Sequence, residues 1–351
     1  MIDRYFSDKI KLLSLFSIIL VLYIHSGFHN YPHEILGMKF NNMLQEFISG
    51  KIGRCAVPLF YMISGFLFFQ NTVDGIRTIY NKMRRRVYTL VIPYIIACLF
   101  FPLFFVVLDL IPGTEKFING GNIFSFFKQS ISVTLSSLFY KTPGGTSPLA
   151  FQLWFLRDLI LIVAISPILY VLRKYFNKYI LVLLFFCLNL PVNISSYFPT
   201  TALFWFMLGD AIINDMSKLK SKFILATFLI ISFLEMYYEV KLPKYISIPI
   251  TLLGIIGAWS IYDSIVSDKF ILKNNKYLCL ACNATFFIYL FHEPTLNIVR
   301  KLLVVVFGQS SFGFAASYLL SPWIFAFIAI IIASLMRNYI PRVYSILVGG
   351  R

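Results

Sequence analysis

The chain has 351 residues, 59% of them hydrophobic and only 13% charged, where an ordinary soluble domain carries roughly 25% charged residues. Apolar blocks of about 20 residues recur from end to end, each long enough to cross roughly 30 Å of hydrocarbon as a helix, which excludes a soluble globular fold. The net charge of +16 does not read as a nucleic-acid footprint, because the basic residues form short clusters between apolar blocks and no basic tail, finger spacing or RNA-type aromatic motif accompanies them.

In chain order, ten spans are expected at about 9–28, 54–70, 87–110, 149–172, 179–192, 199–214, 222–240, 246–265, 277–294 and 316–336. The expected fold is an all-α polytopic membrane protein, a single integral-membrane domain over 1–351 with no separate soluble domain. The 38 Phe and 21 Tyr suit a lipid-facing surface with aromatic belts. After Met1 the start is polar (IDRYFSDKIK), and no A-x-A-like site follows the first apolar run, which argues against a cleavable signal. The loop 111–148 carries GGNIFSFFKQSISVTLSSLFYK, whose spacing suggests a short amphipathic helix on the outer surface. The turn-rich TPGGTSP then leads into the fourth span. The fifth and sixth spans are short and separated by PVNISSYFP. Segment 295–312 is apolar enough to cross, yet Arg300 and Lys301 near its start favour an interfacial helix.

Orientation follows from Lys and Arg. With the N-terminus inside, 20 of them fall on inner segments and 10 on outer ones, as the positive-inside rule requires. Both termini are then cytoplasmic. No internal repeat is visible, which weighs against a secondary transporter built of matched halves. The five cysteines mostly sit within apolar runs and read as small core residues; the CLAC pair (Cys279, Cys282) has redox spacing but no second pair.

Ionisable groups at membrane depth are costly and mark cavities or partners. They are His25, Arg54, Arg157, Asp158, Asp210, Glu235, His292 and Glu293. His25 stands 14 residues beyond Lys11, about 21 Å up the first span, and His292 stands 16 beyond Lys276, about 24 Å up the ninth. Arg54 opens the second span from the outside, so all three belong to one outer layer. Alternatives remain at each position. His25 could simply bond a backbone carbonyl, while His29 and His33 read as ordinary outer-loop residues. Arg54 could snorkel to head groups. Arg157 and Asp158 point about 100° apart and could pair with different helices. Asp210 and Glu235 suit structural partners at helix ends. At the opposite surface, NKMRRRVYTLVIPYI (81–95) sets Arg84, Arg85 and Arg86 just before a span. They either fix topology or form an anion site, since guanidinium forks match phosphates. No Walker loop or dinucleotide fingerprint accompanies them.

Taken together, GRCAVPLFYMISGFLFF (53–69), the first-span IHS, the R-x-x-x-x-x-x-P-Y pattern around 86–94, QLWFLRDL (152–159) and FFIYLFHEP (286–294) resemble the membrane acyltransferase 3 family. The likeness is closest to its branch of sugar and surface-glycan O-acetyltransferases, including the enterobacterial common antigen O-acetyltransferase. It implies an enzyme of the bacterial cytoplasmic membrane that moves an acyl group, expected to be acetyl, from cytoplasmic acyl-CoA to a sugar hydroxyl outside. It carries the catalytic histidines onto His25 and His292, the second-span arginine onto Arg54, and the inner arginine onto Arg86, helped by Arg85. Two departures stand out: Ser14 occupies a position that is often arginine, and Tyr88 and Thr89 stand where a second basic residue is common.

On this reading, Arg84, Arg85 and Arg86 hold the phosphates of acetyl-CoA, which is a substrate, and no metal is expected. His25 serves as general base or as the site of an acyl-imidazole. Arg54, Arg157 or His292 stabilises the oxyanion. Trp154, with Arg157, Asp158 and Glu293, receives the glycan or lipid-linked sugar. The expected partners are acyl-CoA, that acceptor and membrane lipids, with no nucleic acid. The alternatives are a glycan-precursor transporter or flippase, or a non-catalytic partner of a glycan assembly complex.

Overall fold

The computed structural model describes residues 3–27, 38–70, 72, 75–109, 111, 138–139, 150–190, 198–216, 219–266 and 271–350. His29, His33, PVNISSYFP up to Tyr197, and most of loop 111–148 with its expected amphipathic helix lie outside the described residues. Among the described residues every regular element is a helix.

The first helix, α1 (Arg4–Ser26), is capped by Asp3, whose side chain accepts from the Phe6 amide. Then α2 (Met38–Gln45) runs through a π-helical stretch, Glu46–Ile52, and a tight 3-10 turn, Gly53–Cys55, into α3 (Ala56–Phe69). Likewise α4 (Ile76–Arg86) continues through a π-helical stretch, Val87–Val91, into α5 (Ile92–Asp109). Widened π turns of this kind often mark functional positions, and here they adjoin Arg54 and Arg86. A 3-10 turn, Phe151–Leu153, leads into α6 (Trp154–Ala164), which bends by 59° into α7 (Ser166–Tyr175). Pro167 in the first turn of α7 suits a new helix start rather than a continuous one.

The remainder is α8 (Lys178–Asn189), α9 (Thr200–Met216), α10 (Phe223–Tyr237), α11 (Lys244–Ile265), the short α12 (Ile271–Asn274), α13 (Lys276–Phe291), α14 (Thr295–Phe307), α15 (Ser311–Tyr339) and α16 (Pro341–Val348). Each of the ten apolar stretches expected from the sequence is matched by helix. Among the described residues, five continuous helical runs are long and apolar enough to cross a membrane by themselves, or six if the bent α6–α7 pair counts as one span.

The core centres on α9, where every residue from Ala202 to Gly209 is buried, so the helix is enclosed on all faces. Two glycines let α3 approach it. A Cβ on Gly65 would collide with the Phe206 backbone, and one on Gly209 with the Met62 backbone. Small residues at such crossings bring backbones together, which is the main source of helix association in lipid.

Two ends of the bundle can be told apart. About a third of the way along α15, Ser321 lies 3.3 Å from Ser26 at the end of α1. Beyond the far end of α15, Gly349 packs its backbone against Thr89. Ser321 and Tyr339 are 18 residues apart, about 27 Å of helix. His25 and Arg86 therefore stand at opposite ends. Segment 295–312 forms α14 and the turn into α15, packed against both α1 and α15; its expected interfacial position is a matter of depth, but its Arg300 is turned inward.

Candidate active site

His25 sits in the last turn of α1, and that turn is held from outside the helix. Arg300 on α14 donates through Nη1 to the carbonyls of Ser26 and Gly27, and through Nη2 to Asn297 Oδ1 at 2.9 Å. The last carbonyls of a helix have no partner within it, so a guanidinium there satisfies them and complements the helix dipole. The sequence offered no sign of this pairing, because 274 residues separate Arg300 from Ser26.

His292 caps α13 and is fully buried, whereas His25 is partly exposed. The two rings pack with centroids 4.8 Å apart, and Phe151 approaches His25 at 5.8 Å. His292 Nδ1 lies 2.7 Å from the Tyr289 carbonyl. In a neutral ring that contact makes Nδ1 the donor and leaves the lone pair on Nε2. Among the described residues that Nε2 is buried with no hydrogen-bond partner. The two histidines expected at similar height are therefore in contact, one partly exposed and backed by a buried one. Glu293 is buried beside them, and its carbonyl accepts from Gln152 Nε2 at 3.3 Å.

Next to the pair lies a cavity of about 460 Å³ between α1, α3, α6 and α9. Ile24, Arg54, Tyr61, Trp154, Asp158 and Trp205 are among its lining residues, and neither histidine is. Arg54 enters it already engaged. Its Nη1 and Nη2 each stand 3.0 Å from a carboxylate oxygen of Glu235 on α10. Snorkelling to head groups is thus not its arrangement. Glu235, assigned from the sequence to a structural role at a helix end, has its partner at the site itself, and Lys51 approaches the same carboxylate at 3.5 Å.

Arg157 and Asp158 form their ion pair with each other rather than with charges on different helices. Arg157 folds back and donates to Asp158 Oδ1 through Nε at 2.9 Å and Nη2 at 2.7 Å. A carboxylate at this depth is costly without a cation, and the long guanidinium arm reaches the nearest one. Tyr61 reaches the other oxygen of Asp158 at 3.4 Å. Asp210 pairs with Arg173 at 2.5 Å, away from the cavity.

At the opposite end, Arg84 and Arg86 line a second cavity of about 230 Å³, walled by Met83, Leu90, Ile160 and Val163. Arg85 is exposed and outside that lining. Also at this end, Lys82 donates to the carbonyls of Phe68 and Gln70 at the close of α3. Lys9 and Asp263 form a buried ion pair at 2.5 Å, joined by the Tyr5 hydroxyl. Lys9 was missed from the sequence because it stands near the start of a span, where an exposed lysine is the ordinary case.

An acyltransferase-domain family model matches residues 8–349 of the chain. The succinoglycan biosynthesis protein ExoH of Rhizobium meliloti (strain 1021) is 26% identical over 372 residues, covering 99% of this chain and 94% of that protein. No solved structure matches.

Proposed function

The chain belongs to the acyltransferase 3 family, and on that premise we propose that it transfers an acetyl group from acetyl-CoA to a sugar hydroxyl of a surface polysaccharide or lipid-linked glycan. The single observation that carries this reading is the His25–His292 ring contact at one end of the bundle, with an arginine-lined cavity at the other. A donor bound on one side and an acceptor on the other would meet at a histidine. The similarity to a succinoglycan biosynthesis protein supports a polysaccharide as acceptor.

In this mechanism the cytoplasmic face of a bacterial inner membrane holds the arginine end. The chain crosses ten times with both termini inside, consistent with 20 basic residues on inner segments against 10 on outer ones. Arg84 and Arg86, which line an apolar cavity, hold the donor phosphates. At the histidine end, His25 takes the proton of the acceptor hydroxyl as its oxygen bonds to the thioester carbonyl carbon. The C–S bond then breaks, and the thiolate leaves with the proton that His25 had taken. His292 packs behind His25 and limits its ring to one orientation. Arg54, oriented by Glu235, stabilises the oxyanion through a guanidinium N–H dipole rather than as a free charge, in a water-poor site.

The test uses purified protein in liposomes with labelled acetyl-CoA, and O-acetyl content of the surface glycan by mass spectrometry in strains with the native gene, with none, and with His25→Ala at confirmed membrane expression. Esters should disappear in both mutant strains with glycan amount unchanged. A drop in the glycan itself on deletion, with esters intact in His25→Ala, would overturn the enzyme reading in favour of transport.

A further inference from the structure

We propose that the 460 Å³ cavity beside His25 is a subsite for an uncharged sugar ring of the acceptor; this rests on the acyl-transfer reading above and adds what that reading lacks, the charge class of the sugar.

Position comes first. Ile24, immediately before His25, lines the cavity, and so does Trp154, one residue after the 3-10 turn whose Phe151 packs on the His25 ring. A ring seated there lies against the residue that precedes His25 in α1 and against the turn that carries Phe151, so it needs only a projecting hydroxyl to reach the histidine. The volume falls within the roughly 300–1,000 Å³ of small-molecule sites.

Charge comes second. Both ionic side chains that line the cavity are matched inside the protein. Arg54 is gripped by both oxygens of Glu235 at 3.0 Å, and Asp158 by Arg157 at 2.7 and 2.9 Å. A phosphate or uronate entering here would have to compete with Glu235 for Arg54 while meeting Asp158 nearby. An uncharged ring meets no such opposition.

The polar lining comes third. Thr201, in the lining, gives its proton to Asn189 Oδ1 at 2.6 Å, which leaves its hydroxyl oxygen as an acceptor. A sugar hydroxyl can donate to that oxygen, and the C–H face of the ring suits the indole of Trp154, 38% exposed. A lipid chain in the same place would leave the Thr201 oxygen without a donor.

The experiment follows tryptophan fluorescence of the full-length protein in detergent during titration with methyl glycosides of glucose, galactose, mannose and N-acetylglucosamine, with methyl glucuronide and galacturonide, and with dodecane-loaded micelles. CoA release from acetyl-CoA is measured on the same preparation. At least one uncharged glycoside should bind saturably, with either uronide at least tenfold weaker. Thr201→Val should weaken that binding by about tenfold, the effect of one hydrogen bond, and Thr201→Ser should restore it. Absence of saturable binding by every uncharged glycoside, tighter binding of a uronide, or displacement by dodecane would each overturn the proposal. Glycoside binding without CoA release in any condition would support the subsite while the acyl-transfer reading fails, so the two are read separately.

Discussion

Replacing Glu235 with alanine tests whether Arg54 is held as described. The Glu235 carboxylate lies 3.0 Å from both Arg54 terminal nitrogens and 3.5 Å from Lys51. The side chains of Glu235, Lys51 and Arg54 are 6%, 13% and 17% exposed. Breaking a buried pair by removing one partner costs about 3–5 kcal/mol, because the other charge stays buried and uncompensated. Lys51 keeps Glu46 at 3.4 Å, so the penalty falls mainly on Arg54. Its residual exposure sets the expected loss near the low end, about 3 kcal/mol. Removing both charges with Arg54→Met and Glu235→Met should return most of that loss, since the desolvation penalty goes with them. Unfolding in mixed micelles followed by circular dichroism gives both numbers. Acyl transfer separates the roles: Glu235→Ala should retain a fraction of activity, whereas Arg54→Met and the double variant should lose it. A double variant no more stable than Glu235→Ala alone would refute the argument that Glu235 compensates a buried Arg54 charge.

Arg84→Gln and Arg86→Gln should each raise the KM for the acyl donor about tenfold in an initial-rate assay, whereas Arg85→Gln should change it less than threefold, because Arg85 lies outside the cavity lining. Gly65→Ala and Gly209→Ala should each lower stability by roughly 1–3 kcal/mol, since each Cβ meets facing backbone rather than a movable side chain; wild-type melting in both would show that the α3–α9 approach is looser than described. Arg300→Met should lower kcat more than it raises acceptor KM, because it frees the end of α1 that carries His25. Arg300→Lys should recover part of the rate, and an equal rise in KM without loss of kcat would point to direct substrate contact instead.

The histidine pair was legible in the sequence. Counting from Lys11 and from Lys276 put His25 and His292 at similar height, because helical rise is constant, and the two rings are in contact. The Arg84–Arg86 run was legible as a basic cluster just before an apolar stretch. Arg54 illustrates where this stops: its place at the start of a span could be read, but its partner, 181 residues away on α10, could not.

The sequence by itself determined the class of protein, the positions of its apolar helices and which ionisable groups fall within or beside them. Each of these depends on local composition and on the rise of one helix, so a single segment carries the information. The tertiary structure alone decided which charges neutralise each other, that Arg300 secures the end of α1, that Arg157 turns to its own neighbour Asp158, and that the two histidines touch. Those outcomes depend on which helices lie side by side, and that is set by contacts such as Gly65 on Phe206 and Gly209 on Met62. In lipid, hydrophobicity drives every apolar helix into the membrane alike, and only close packing and polar pairing select its neighbours.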